Sequence, residues 1–359
     1  MNNNNLAKYG ADERFLTLAK EYKDLKPARV ISQYKGIYKI ITEEGECLAK
    51  VSGKFMNEAY SSSDYPAVGD YVMTDGFRDK GETSVIHHVL DRKSVFKRTA
   101  AGSKKEMQIV ASNVDIIFIC MALNNDYNIS RLERYMTLSW DSGAKPVIIL
   151  TKSDLAENID NILSEVTSVT FTDDIILTTN KDESSYEKIN EYLKPGITGA
   201  FIGSSGVGKS TIINHLLGRD IIKTSGLRND DKGRHTTTTR DLILLDSGGI
   251  VIDTPGMREL GTGFIETSKG FEDIEELISG CKFSDCTHTN EPGCKVREAI
   301  EKGTLDLRRY ENYEKIQREN KYAGLNSKEI EKEKLNQMFK SVGGMKKARK
   351  YLKDKDKRN

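Results

Sequence analysis

The spacing of apolar residues changes character along the chain, and each change marks a different kind of element. Phe15, Leu16, Leu18, Ala19, Tyr22 and Leu25 recur at helical spacing, and Pro27 follows them. This predicts one amphipathic helix, ended by Pro27, that packs on the next domain. From 28 to 99 the apolar runs become short. Strands are expected at 29–34, 37–42, 47–52, 70–74 and 84–90, with 95–97 as a sixth, and Gly36, Gly45, Gly53, Gly69, Gly76 and Gly81 punctuate them. So many short strands in so short a stretch suggest a small barrel. An OB-fold fits best, and an SH3-like barrel would look similar. From 108 the pattern alternates. Strands are expected at 114–123, 146–150, 175–177, 197–202, 241–245 and 250–252, with helices at 129–139, 186–193 and 211–217. Buried strands alternating with helices predict a doubly wound α/β sheet with its ligand at the strand C-termini. After 262 the chain turns charged and helical. The expected organisation is a helical extension (1–27), a barrel (28–99), an α/β domain (100–262) and a helical domain with a basic tail (263–359).

Composition narrows the function. The 359 residues suffice for two or three domains. No apolar run approaches the roughly 20 residues of a membrane span. The opening Met1-Asn-Asn-Asn-Asn5 lacks the basic and apolar regions of a secretory signal. A cytoplasmic protein with no membrane partner is expected. A net charge of +1 marks neither a global nucleic-acid binder nor a membrane binder, so local patches must carry any such role. Two basic patches stand out. One is the connector with Arg92, Lys93, Lys97, Arg98, Lys104 and Lys105. The other is the tail from Lys346 to Arg358, where the only acids are Asp354 and Asp356. Each reads equally well as a solvated segment or as a contact for RNA phosphates.

The chemistry concentrates in a few motifs. Gly203-Ser204-Ser205-Gly206-Val207-Gly208-Lys209-Ser210-Thr211 matches G-x-x-x-x-G-K-[ST] between an expected strand and an expected helix. Backbone N–H groups of such a loop converge on phosphate oxygens at a helix N-terminus. Lys209 would reach the β- and γ-phosphates, and Ser210 would bind Mg²⁺. Thr151-Lys152-Ser153-Asp154 ends an apolar strand and fits the [NT]-K-x-D pattern. Asp154 can accept from guanine N1–H and the N2 amino group, a donor pair adenine lacks, and Lys152 would pack over the base. Thr151 replaces the commoner Asn, which loses an amide. Thr178-Thr179 follows the next strand, where a backbone contact to guanine is expected. Asp253-Thr254-Pro255-Gly256 follows two apolar strands; Asp253 would bind Mg²⁺ through water, and the Gly256 N–H would touch the γ-phosphate. Met257 comes next, and a thioether cannot orient an attacking water. The candidate first switch is 233–241, where Thr239 would bind Mg²⁺ and His235 could position the water.

A second cluster is Cys281-x4-Cys286-x-His288-x5-Cys294, which offers three thiolates and an imidazole, a full ligand set for structural Zn²⁺. Three of the five cysteines thus lie in one loop, and no even-numbered disulfide framework spans the chain. His87, His88 and His215 have no such company and read as structural.

In an ordinary GTPase the phosphate loop opens the domain and the base-reading motif follows it; here that order is rotated. The order T-K-S-D, phosphate loop, G-R-H-T-T-T, D-T-P-G and Cys/His knuckle, behind a small barrel, resembles the circularly permuted GTPases of the RsgA (YjeQ) type, ribosome small-subunit-dependent GTPase A. The resemblance spans about residues 28 to 330. It implies an N-terminal OB-fold, a circularly permuted P-loop GTPase core and a C-terminal α-helical zinc-binding domain. It also implies GTP/GDP, Mg²⁺ and one structural Zn²⁺, and slow GTP hydrolysis stimulated by the small (30S) ribosomal subunit late in its maturation. The small subunit and its rRNA would be the partners of a monomer. A P-loop ATPase or small-molecule kinase, and a zinc-bearing RNA-binding protein with a merely regulatory nucleotide site, are the rival classes. Asp154 argues against the first; Lys209, Ser210 and Asp253 argue against the second.

Overall fold

The computed structural model describes residues 5–78, 82–99, 107–170, 172–219, 240–253 and 265–322, together with 329, 331, 332 and 334. Two short helices come first, α1 (Asn5–Lys8) and α2 (Glu13–Ala19). The Asp12 side chain caps α2 by accepting from the Phe15 N–H at 3.1 Å. Phe15 and Ala19 bury against Tyr71, Met73 and Leu90 of the barrel, so the extension packs on its neighbour as expected. The helix stops at Ala19, well short of Pro27. Pro27 instead lies in β1 (Lys26–Gln33), opposite Met73. Near the start of a strand its missing N–H is tolerated.

The barrel continues with β2 (Tyr38–Ile41), β3 (Glu46–Val51), helix α3 (Gly53–Glu58), β4 (Tyr71–Thr74) and β5 (Ser84–Val89). Pairing runs β1-β2-β3-β5-β4 and returns to β1, with β3 and β5 parallel. That closed five-strand order is an OB-fold. Strand alternation fills its core. Along β3, Cys47 and Ala49 point in while Glu46, Leu48 and Lys50 face out, and Ala28, Val30, Ile40, Val72 and Ile86 complete the interior.

A hairpin, β6 (Val95–Thr99) with β7 (Met107–Ser112), follows the barrel, so the expected 99/100 boundary falls between its two strands. The α/β core then runs β8 (Ile116–Ala122), α4 (Ile129–Ser142), β9 (Lys145–Thr151), α5 (Ile159–Thr170), β10 (Ile175–Leu177), α6 (Glu187–Tyr192), β11 (Thr198–Ile202), α7 (Lys209–Leu216), β12 (Arg240–Leu244) and β13 (Ile250–Asp253). Its strand order is β10-β9-β8-β11-β13-β12, parallel except for β12. Apolar clusters cover both faces of this sheet. β12 also pairs with β1 through Ser32↔Asp241, which joins barrel and core in one eleven-stranded sheet.

Arg29 marks the junction. It is 1% exposed. Its guanidinium donates to the carbonyls of Tyr9 (2.5 Å), Gly69 (3.2 Å) and Asn113 (3.3 Å) and to Thr198 Oγ1 (3.0 Å). It therefore ties extension, barrel, connector and central strand together. Two residues of the basic connector are similarly engaged inside the protein. Arg92 makes paired 2.7 Å bonds to the buried Asp70, and Lys93 pairs with Asp115. Their charges are thus engaged by carboxylates within the protein.

The C-terminal part contains α8 (Glu272–Ser279), α9 (Lys295–Glu301) and α10 (Leu307–Tyr322) around Phe271, Ile274, Val296, Tyr313 and Ile316. It docks on α4. The Glu133 carboxylate, 2% exposed, accepts from Arg308 (3.0 Å), Arg309 (3.0 Å) and Asn312 (2.7 Å). Among the described residues, no helix is long and apolar enough to cross a membrane.

Candidate nucleotide and metal sites

The parallel strands β10, β9, β11 and β13 end at one edge of the sheet, and each delivers a motif there. β11 runs into the loop Gly203–Gly208. Gly203 (φ +143°) passes so close to β8 that a Cβ would lie 2.4 Å from the Cys120 carbonyl oxygen, so only glycine fits. Ser205 and Gly206 at the crest are exposed, while Val207 is buried. Gly208 (φ +102°) then starts α7, with Lys209, Ser210 and Thr211 in its first turn. The Lys209 ammonium curls back over the loop and donates to the carbonyls of Gly203 (2.6 Å) and Ser204 (2.7 Å). The arrangement offers a cation, a hydroxyl and backbone N–H groups in one place, as polyphosphate binding requires.

β9 delivers the base-reading motif. Thr151 is buried, and its hydroxyl donates to the Val207 carbonyl at 2.7 Å. The residue that replaces Asn therefore still ties this strand to the phosphate loop. Lys152 adopts a left-handed conformation (φ 55°, ψ 40°), uncommon for a residue with a Cβ, and turns the chain out of the sheet. Asp154 then meets the segment after β10. Thr179 Oγ1 donates to one carboxylate oxygen at 2.7 Å, and Lys181 pairs with the other at 3.1 Å. The Thr179 hydroxyl, then Lys181, hold the Asp154 carboxyl below its ordinary range. The segment is braced by Ser185, which accepts from the Thr179 N–H, and by Tyr186, which donates to Asn180. The neighbouring Thr178 hydroxyl is buried and has no hydrogen-bond partner among the described residues.

β13 ends at Asp253, one residue beyond the pair Ala200↔Ile252, on the strand next to the one that runs into the phosphate loop. His235, Thr239 and Gly256 lie outside the described residues, as do Lys104, Lys105 and the basic tail. Sequence reasoning did not single out Asp126, on the loop after β8, which accepts from the Ser204 hydroxyl of the phosphate loop. It also passed over Lys181. The chain offered only a turn-forming Asn124-Asn125-Asp126 run for the first and an ordinary surface lysine for the second.

The Cys/His knuckle is brought together between α8 and α9. The donor atoms of Cys281, Cys286, His288 and Cys294 all lie within 4.8 Å of one another. His288 Nδ1 is 3.6 Å from Cys281 Sγ and 3.5 Å from Cys294 Sγ. Metal bonds of about 2.3 Å to sulfur and about 2.0 Å to nitrogen, at a tetrahedral angle, separate a sulfur and a nitrogen donor by about 3.5 Å. The four residues therefore fit Zn²⁺. Cys294 also caps α9 by accepting from the Arg297 N–H. Glu291, which the spacing of ligands did not reveal, braces the loop. One oxygen accepts from the Thr287 N–H and hydroxyl, the other from the N–H groups of Thr289 and Asn290. The Thr287 hydroxyl is the main cause of its pKa being pulled down to about 2.

Comparison with known proteins agrees with this arrangement. A family model described as RsgA GTPase matches residues 89–263. The "Small ribosomal subunit biogenesis GTPase RsgA 2" of Lactiplantibacillus plantarum is 46% identical over 347 residues, 96% of this chain and 97% of that protein. The protein of the same description from Listeria monocytogenes is 47% identical over 300 residues, 82% of this chain and 83% of its own length. Among solved structures, YjeQ from Thermotoga maritima superposes with a TM-score of 0.60 at 29% identity, covering 81% of this chain and 97% of its own. YloQ, titled a circularly permuted GTPase, superposes at 0.55 and 25% identity, covering 83% and 95%.

Proposed function

The chain belongs to the RsgA family of GTPases, and from that premise we propose that it hydrolyses GTP as an assembly factor of the small ribosomal subunit. On this reading it binds that subunit and its rRNA late in maturation and leaves after hydrolysis. The supporting observation is the placement of a phosphate loop, a carboxylate with two acceptor oxygens and Asp253 at the ends of β11, β9 and β13, parallel strands of one sheet with only β8 between β9 and β11.

The residue roles follow from chemistry. Gly203 to Thr211 cradle the phosphates, and Lys209 offsets their charge. Asp154 reads guanine, Lys152 covers the base, and the Thr178-Thr179 segment contacts guanine through its backbone. Ser210, Thr239 and Asp253 would hold Mg²⁺, which when bound neutralises charge developing on the transferred phosphoryl group. Gly256 senses the γ-phosphate. His235, or a group from the ribosome, positions the water, since Met257 cannot. Zn²⁺ on Cys281, Cys286, His288 and Cys294 fixes the C-terminal unit. A monomer working in the cytoplasm completes the reading, with the four segments 1–27, 28–99, 100–262 and 263–359 as its domains.

The test is GTP turnover by the full chain alone, with small subunits and with large subunits. Stimulation by small subunits alone is expected. Equal stimulation by both, or a preference for ATP, would overturn the proposal.

A further inference from the structure

The phosphate loop is held by a charged pair that lies outside its own motif. Asp126, on the loop between β8 and α4, accepts from the Ser204 hydroxyl. Arg131, in the first turn of α4, pairs with the same carboxylate at 2.9 Å and also donates to the Asp126 carbonyl. Asn128 caps this turn by accepting from the Arg131 N–H at 2.8 Å, and Met121 Sδ lies 3.6 Å from the guanidinium. The Arg131 Nε is buried without a hydrogen-bond partner among the described residues. An arginine in this position gives up one of its hydrogen bonds, so its charge on Asp126 is the evident gain.

A carboxylate touching the second residue of a polyphosphate loop opposes the ligand's charge. We infer that Asp126 is a positioning residue of the phosphate loop: it holds the loop through Ser204 and lowers its affinity for polyphosphate, and Arg131 limits that penalty. The inference rests on the nucleotide-binding reading above. A pair that was only structural would lose affinity whichever partner was changed. A charge balance gives opposite signs. Asp126→Asn keeps an acceptor for Ser204 but removes the negative charge. Arg131→Met leaves that charge uncompensated. Both side chains are partly exposed, 37% and 29%, so the field is screened and the effects are moderate.

The experiment titrates GDP and GTP, with Mg²⁺, into the full-length wild type, Asp126→Asn, Arg131→Met, Arg131→Lys and Ser204→Ala, at low and high salt. Each variant is first checked for a native unfolding transition. Asp126→Asn should bind GTP more tightly and Arg131→Met more weakly, each by on the order of threefold to tenfold. The change should be larger for GTP than for GDP and should shrink at high salt. Arg131→Lys should restore most of the affinity. Ser204→Ala, which changes no charge, should slow turnover more than it alters affinity. Weaker binding in both charge variants, or effects independent of salt, would overturn the inference while leaving the GTPase reading intact. A well-folded wild type that binds neither nucleotide would overturn both.

Discussion

On the proposed reading the two carboxylate oxygens of Asp154 accept from the two donors of guanine, and Thr179 and Lys181 engage those same oxygens. Asp154→Asn turns one acceptor into a donor. GTP affinity should fall on the order of tenfold to a hundredfold, and discrimination against xanthosine triphosphate should relax. Competition titrations with GTP and XTP check this; an unchanged preference for guanine would move base reading elsewhere. A second residue-scale expectation concerns Thr151. It donates to Val207, and the adjacent Thr178 hydroxyl has no partner among the described residues. Thr178 follows Leu177, which is in register with Leu150, so the two threonines are neighbours across β9 and β10. An amide at 151 can serve both groups. Thr151→Asn should therefore raise stability by about 1 kcal/mol, read as an increase in denaturation midpoint, and slow GDP release. Destabilisation would show that the hydroxyl is already satisfied. The motif residues at this scale were legible because glycine and charge requirements are local. Lys181 and Asp126 were not legible, because their partners lie 27 and 78 residues away.

Elements were read well where period and punctuation agreed. The alternation in β3 and the apolar runs of β8 and β9 mark them plainly. Helix α5 carries Val166, Thr167, Val169 and Thr170 in its second half, and such β-branched residues disfavour helix, so its pattern was hidden. It forms because Val166 and Val169 bury against the core. Conversely, helical spacing continued through Tyr22 and Leu25 although α2 ends at Ala19; those two side chains still pack beside Phe15, from a turn. The knuckle brings its four candidate ligands together with Glu291 as a brace, with Cys281 and Cys286 on the margin of a small apolar cluster. Removing zinc, or Cys286→Ser, should loosen residues beyond about 263 and leave nucleotide binding largely intact, because metal ligation supplies folding energy locally. Hydrogen exchange across α8 to α10, with metal analysis and a GDP titration, checks this. Purified reduced protein without stoichiometric zinc would overturn the metal assignment.

At the scale of the molecule, one sheet carries both barrel and core, and helix α4 links the core to the C-terminal unit. Pairing of β1 with β12, and the long reach of Arg29 to Thr198, could not be read from the chain, because they join residues more than 160 positions apart. The consequence for function lies in the order of elements. Helix α4 begins beside the phosphate loop, where Arg131 pairs with the Asp126 that accepts from Ser204, and it carries Glu133 under the C-terminal unit. Movement of the phosphate loop can therefore reach Arg308, Arg309 and Asn312 through α4 and Glu133. Glu133 is the keystone of that contact, since it is almost fully buried and accepts from all three. Glu133→Ala leaves Arg309, whose side chain is 6% exposed, without one of its two carboxylate partners, with Asp273 and the Gly270 carbonyl still in contact. Removing one partner of a buried ion pair is strongly destabilising, and the remaining Asp273 puts the expected loss near the low end, about 3 kcal/mol. A lower denaturation midpoint should appear together with faster hydrogen exchange in α10. GTP affinity should stay near wild type, because Asp154 and the phosphate loop are carried by other strands. If small-subunit stimulation passes through this contact, stimulated turnover should fall while unstimulated turnover does not. Exchange in α10 that is unchanged by the substitution would show that the C-terminal unit is held to the core by other means.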